Sequence, residues 1–126
     1  MQDDIRMVNV LVLAYIGDSV YENFIRHYLV SNGISNVSDL QKESIKYVSA
    51  KAQSKYMYSL IDNNILNDDE LGIYKRARNY KSDRHPKNTD IVTYKVATGF
   101  EAIIGYLDLT GNSQRLSSIM NYVIGV

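Results

Sequence analysis

Apolar residues recur along this chain at threes and fours rather than alternating, in runs separated by capping signals, so the pattern predicts an all-α protein. The first run, with Leu13, Val20, Phe24 and Tyr28, predicts an amphipathic helix from about Val10 to Val30, buried over much of its surface. Gly33, just after Ser31 and Asn32, is placed to end it in the left-handed conformation. Ser38 and Gln41 have the spacing of a capping box and open a second helix through Leu40, Ile45 and Val48 towards Ala50. A third follows from Lys51 to Leu60, with Ala52, Tyr56, Met57 and Leu60 in register, and loses its pattern at Asp62-Asn63-Asn64. Asn67 and Glu70 form a second capping box, with Asp68 and Asp69 suited to the positive end of the helix dipole, and that helix reaches about Arg78. From Asn79 to Thr89 the pattern vanishes around the chain's only proline, Pro86. A second strongly apolar helix runs from about Asp90 to Leu109 and is stopped by Thr110-Gly111-Asn112. A short helix from about Ser113 to Val123 ends the chain.

Three residues break the two apolar helices. Asp18 and Glu22 lie four apart on one face of the first, where two carboxylates repel and want a cation, either a metal ion or a Lys or Arg. Gly17 beside them costs about 1 kcal/mol against Ala inside a helix, which is best explained by a backbone or ligand that must come close. Glu101 stands between Phe100 and Ala102-Ile103-Ile104 on the second apolar helix, where a carboxylate must be paired, coordinated or protonated. Pairing with an arginine such as Arg26 is the structural solution. The chemical one brings Glu101 against Asp18 across two packed helices, where their oxygens would hold a divalent cation able to activate water beside a phosphate.

Composition narrows the chemistry. The 126 residues suggest a single domain, residues 1–126. With no cysteine and only two histidines, thiolate sites, disulfides and a histidine-rich zinc site are excluded, so a metal would be bound through oxygen, which suits Mg2+ or Mn2+. The N-terminus is acidic, and no apolar run approaches the roughly 20 residues needed to span a bilayer. The expectation is a soluble, cytoplasmic protein with no membrane partner. Although the chain is neutral overall, Tyr74 to Lys95 holds seven bases against two acids, a net +5. As a solvated loop this stretch would do nothing. As a phosphate-binding surface, Arg76, Arg78, Lys81, Arg84 and Lys87 would neutralise backbone phosphates, and Asn79 and Asn88 would donate hydrogen bonds to phosphate or 2′-hydroxyl oxygens.

Other chemistries find little support. Neither His27 nor His85 has a nucleophile pattern near it, and His27 reads as a packing or pairing residue of the first helix. There is no glycine-rich phosphate loop and no serine nucleophile elbow. The 11 tyrosines fall mostly on helical spacings and read as core or interface residues rather than base-stacking platforms.

The stretch Leu13-Ala14-Tyr15-Ile16-Gly17-Asp18-Ser19-Val20-Tyr21-Glu22 resembles the signature helix of ribonuclease III catalytic domains, and Ala97 to Gly105 resembles their second catalytic helix. The nearer resemblance is to the Mini-III ribonucleases. It includes Tyr47-Val48-Ser49-Ala50-Lys51-Ala52-Gln53, Arg76-Ala77-Arg78-Asn79 and Pro86-Lys87-Asn88, in order over nearly the whole chain. The resemblance implies a helical bundle like the ribonuclease III endonuclease domain, without a separate double-stranded-RNA-binding domain. It implies a homodimeric, Mg2+-dependent endoribonuclease, with Asp18 and Glu101 as the metal-binding catalytic carboxylates and Glu22 as a supporting partner. The expected products carry a 5′ phosphate and a 3′ hydroxyl. The implied substrate is duplex RNA of the large (23S) ribosomal RNA precursor, with a large-subunit ribosomal protein as a candidate helper. Two acidic positions of the wider ribonuclease III pattern are occupied here by Ala14 and Thr98, a sparseness that the Mini-III pattern shares. Two rival readings belong to other classes. A non-catalytic duplex-RNA-binding ribosome-assembly factor would keep the basic loop and lose the acidic pair. A helical protein-interaction domain would hold both acids in salt bridges.

Overall fold

The computed structural model describes residue 5, residues 8–81 and residues 86–126. Among them it has six α-helices and no strand: α1 Val10–Ser31, α2 Val37–Val48, α3 Ala50–Asp62, α4 Asp68–Arg78, α5 Ile91–Leu109 and α6 Ser113–Ile124. Each helix starts where a short polar side chain accepts a hydrogen bond from a free N–H of the first turn, the caps being Asn9, Asn36, Ser49, Asn67, Asp90 and Asn112. At Asn67 both halves of the expected capping box form, each at 2.9 Å. The box expected at Ser38 does not form. Asn36 has extended backbone, and its side-chain oxygen already accepts from the N–H groups of Ser38 and Asp39 at 2.8 and 3.2 Å, which leaves Ser38 inside the first turn. The second helix also ends earlier than expected, because Ser49 turns the chain and caps α3 through a 3.1 Å bond from the Ala52 N–H. Gly33 follows the end of α1 with φ +94°, as its position suggested.

Helix α5 is the centre of the fold. It packs against α1, α3, α4 and α6, and its residues from Val96 to Phe100 and from Ala102 to Gly105 are buried on nearly every side. Its main partner, α1, is buried along one stripe formed by Val10, Leu13, Ala14, Gly17, Tyr21, Ile25 and Leu29. Where the two helices cross, each contributes a glycine. A Cβ on Gly17 would overlap the Glu101 carbonyl oxygen and stand 2.9 Å from the Gly105 nitrogen; one on Gly105 would overlap the Leu13 carbonyl oxygen. The close approach inferred for Gly17 is therefore a backbone-to-backbone crossing. Beyond it the edge of the Tyr21 ring meets Phe100, ring centroids 5.1 Å apart.

The remaining buried charge in the fold is tied down. Glu70, fully buried, receives Arg115 from α6 through two bonds of 2.7 and 2.8 Å, while Arg115 also reaches the Ile65 carbonyl. Burial alone would raise the Glu70 carboxyl; Arg115 and the Asn67 N–H outweigh it and hold the carboxyl below the usual range.

Two outcomes follow. Gly17→Ala is expected to lower stability by at least about 1–3 kcal/mol through overpacking, whereas Gly72→Ala, in α4 with open space around it, is expected to gain about 0.5–1 kcal/mol; urea unfolding checks both. Arg115→Ala should cost about 3–5 kcal/mol at neutral pH by leaving Glu70 unpaired. Because the folded Glu70 carboxyl is depressed, that stabilisation is present above the unfolded-state value and is lost as pH falls through the folded one. The gap between native and variant midpoints should therefore close in acid.

Candidate active site

The glycine crossing decides where the acids go. Asp18 follows Gly17 directly, and the carbonyl that Gly17 meets belongs to Glu101, so both carboxylates reach one cleft. The cleft encloses about 470 Å³ and is lined by Leu11, Ala14, Tyr15, Asp18, Ala77, Tyr80, Tyr94, Lys95, Thr98 and Glu101. Asp18 is exposed at it and Glu101 is half-buried. Burial, then hydrogen bonding and repulsion from Asp18, push the Glu101 carboxyl up to about 9; the Gln53 amide pulls the other way, and the charge of Glu22 adds to the rise. Arg26 does not neutralise Glu101. It pairs instead with Glu22 at 3.4 Å, four residues along the same exposed helix face, which corrects the structural alternative considered for Glu101. An ion pair this exposed adds little stability.

A half-buried acid facing another acid is poorly placed unless a cation joins them, and a divalent ion is what the donor set suits. Among the described residues no group of three or more His, Cys, Asp or Glu encloses a metal position. A site here would offer two carboxylates from opposite helices and an open cleft. Mg2+ is commonly held that way, by one or two carboxylates with much of its hydration kept.

Two further residues bear on the acids, and the sequence assigns neither a role at them. Lys95 lines the cleft, on the same face of α5 as Thr98 and Glu101, a spacing of threes that was open to inspection. Gln53, on α3, is 3% exposed; its Nε2 donates to the Val48 carbonyl at 3.0 Å and its Oε1 has no partner among the described residues. An unpaired buried acceptor costs about 1–3 kcal/mol. Nothing in the spacing of α3 distinguished this residue from the stripe of Met57 and Leu60.

The basic residues lie at the end of α4 and beyond it. Lys75, Arg76, Asn79, Lys81, Lys87 and Asn88 are exposed. Arg76 donates to the Val8 carbonyl at 3.4 Å. Arg78 is half-buried over the Tyr74 ring, 5.3 Å from its centre, with its Nε donating to Asn79 at 3.2 Å. Arg84, with Asp83 and His85, lies outside the described residues. His27 is exposed on α1, its ring Nδ1 2.8 Å from the Asn23 carbonyl, well removed from the acids in its bonding.

Comparison with known proteins places this geometry in context. Residues 11–112 match the model of the ribonuclease III domain. The chain is 46% identical to a Mini-ribonuclease 3 of Enterococcus faecalis over 96% of its own length and 92% of the relative's. It is 42% identical to a Mini-ribonuclease 3 of Streptococcus pneumoniae over 96% and 94%. A crystal structure of a Fusobacterium nucleatum protein superposes with a TM-score of 0.85 at 36% identity, covering 98% of both chains.

The raised Glu101 carboxyl has a thermodynamic consequence. In chelator, the folded protein holds a proton there that the unfolded chain has lost, so stability should fall as pH rises from about 5 towards 9. Glu101→Gln should flatten that slope and be the more stable form at pH 8 by on the order of 1–3 kcal/mol, read by urea unfolding at several pH values.

Proposed function

The chain belongs to the ribonuclease III family, in its Mini-ribonuclease 3 group, and is an endoribonuclease; from that premise we propose that it cuts duplex RNA with Mg2+ held by Asp18 and Glu101. The observation that carries the proposal is the convergence of these two carboxylates on one cleft, close enough for each other's charge to matter. A bound Mg2+, or Mn2+ in its place, supplies a Lewis acid that neutralises phosphate charge and favours the hydroxide form of water. Asp18 and Glu101 would hold that ion at the cleft. Glu22, half-buried one turn on from Asp18, adds negative potential without joining the ligands. Hydrolysis leaves the phosphate on the 5′ end and the hydroxyl on the 3′ end.

The exposed bases Lys75, Lys81 and Lys87, with Arg76, Arg78, Arg84, Asn79 and Asn88, grip the duplex by its phosphates and sugars, so binding weakens with salt. The substrate is the duplex formed by the ends of a large-subunit ribosomal RNA precursor, in the cytoplasm, with a large-subunit ribosomal protein as helper. No helix among the described residues is long and apolar enough to cross a membrane. Two copies act together, one for each strand. Leu11, Val12 and Tyr15, 39%, 48% and 78% exposed on one face of α1 beside the cleft, support a homodimer through that face. The retained acidic pair weighs against a non-catalytic assembly factor on the same fold.

Cleavage of a long RNA duplex with and without Mg2+ tests the reading. Native protein should cut only with metal. Asp18→Asn and Glu101→Gln should each bind the duplex as before yet lose cutting by at least about 100-fold, the scale of a missing metal ligand or its support. Retained cutting by both variants would overturn the assignment.

A further inference from the structure

Among the described residues that line the cleft with Asp18 and Glu101, Lys95 is the one base. It lies in the second turn of α5 and follows, with Thr98 and Glu101, a spacing of threes along one face of that helix. Its side chain is half-buried, yet among the described residues its ammonium makes no hydrogen bond and reaches neither acid at ion-pair distance. A lysine placed to neutralise the acids would pair with one of them, as Arg115 pairs with Glu70 and Arg26 with Glu22. Lys95 leaves both carboxylates free and keeps its own charge open to a ligand in the cleft. The neighbouring bases are placed differently: Arg78 rests on the Tyr74 ring, Arg76 donates to the Val8 carbonyl, and Lys75, Lys81 and Lys87 are exposed and do not line the cleft. Thr98, between Lys95 and Glu101 on this face, is bonded within the helix, its hydroxyl donating to the Tyr94 carbonyl at 2.9 Å. Six residues of helix, about 9 Å, separate the backbones of Lys95 and Glu101. The cleft therefore holds carboxylates suited to a cation and, farther along the same helix face, a fixed positive charge suited to an anion. A phosphodiester joined to the cation by one oxygen and to the ammonium by another satisfies both.

We propose that Lys95 is a further catalytic residue, its ammonium donating to a non-bridging oxygen of the scissile phosphate from the side of the cleft away from the two acids. There it stabilises the negative charge that gathers as the oxygen of the attacking water bonds to phosphorus and the 3′ oxygen leaves. The water gives up its proton to solvent and the 3′ oxygen takes one from solvent, so Lys95 stays protonated throughout and acts by charge and hydrogen bonding alone. This inference rests on the reading of the cleft as the site of RNA cleavage.

The test combines kcat and KM for duplex cleavage with two binding measurements. Lys95→Met keeps an apolar stem and removes the charge. It is expected to lower kcat by about 100–1000-fold, the scale of a lost donor to transition-state charge, with KM little changed. Mn2+ binding to the RNA-free protein, followed by electron paramagnetic resonance, should stay native. In Mn2+, native protein should bind a short RNA duplex bearing a 5′ phosphate about 10-fold more tightly than the same duplex with a 5′ hydroxyl, and Lys95→Met should lose that preference. Lys95→Arg, which keeps the charge, should recover at least about 10-fold of the lost kcat. Lys55→Met removes an exposed base of α3 that does not line the cleft and should cut as the native protein does. Should Lys95→Met not fold, Lys95→Gln should show the same losses. A folded Lys95→Met with native kcat would overturn the proposal, as would a loss accompanied by weakened Mn2+ binding or left unrelieved by Lys95→Arg. Glu101→Gln measured alongside separates the two failures. If it cuts as the native protein does, the reading of the cleft itself falls; if it loses cutting while Lys95→Met does not, only the role of Lys95 falls.

Discussion

Everything at the cleft depends on how closely α1 and α5 approach. Side chains ordinarily keep helix axes 8–10 Å apart. Gly17 and Gly105 remove them at the crossing, and the backbone of each helix meets the other's carbonyl directly. That contact fixes the position of α1 along α5, since a shift by one residue would drive a Cβ into a carbonyl oxygen. It also brings the acids together, because the residue after Gly17 is Asp18 and the carbonyl against Gly17 is that of Glu101. The same crossing places Tyr21 on Phe100, so core packing and acid placement are set by one register.

The molecule treats Glu70 and Glu101 in opposite ways. Glu70 is given a guanidinium with two bonds and a backbone N–H, and its carboxyl is held low. Glu101 is given an aspartate and an amide, and its carboxyl is held high. Burial acts in the same direction on both, so the difference lies in the partners. Glu70 locks α6 to the start of α4. The chain could have neutralised Glu101 in the same manner, with Arg26 only one turn beyond Glu22, yet that arginine stays with Glu22 on the outer face. A carboxylate kept in reserve against a second carboxylate suits cation binding far better than it suits stability.

Polar side chains elsewhere serve the ends of helices. Six short caps start the six described helices, and the last turn of α2 is closed by Tyr21, Gln53 and Tyr56 from other elements. Tyr21 is sufficiently desolvated that its hydroxyl is held well above the usual range, as expected of a buried donor to a backbone carbonyl. This corner between α2 and α3 therefore connects to the cleft from two sides, through Tyr21 one turn from Asp18 and through Gln53 beside Glu101.

The sequence by itself determined the six helices and most of their ends, because helical periodicity and the cap at Asn67 are local and repeat wherever the same residues occur. It marked Gly17, Asp18 and Glu101 as misfits, since each is costly in a buried helix whatever it packs against. Where two local signals competed, at Asn36 and Ser38, spacing alone chose the wrong cap, and only backbone conformation distinguished them. Arg26 illustrates the larger limit. Its charge fitted either Glu22 or Glu101, and the choice depended on which face of α1 turned towards α5. Gln53 stood only as the last residue of a stretch resembling the Mini-III pattern, with no role, because an amide on a helical stripe becomes informative only when its neighbours in space are known. Which acids meet is a relation between α1 and α5, so tertiary packing decided it.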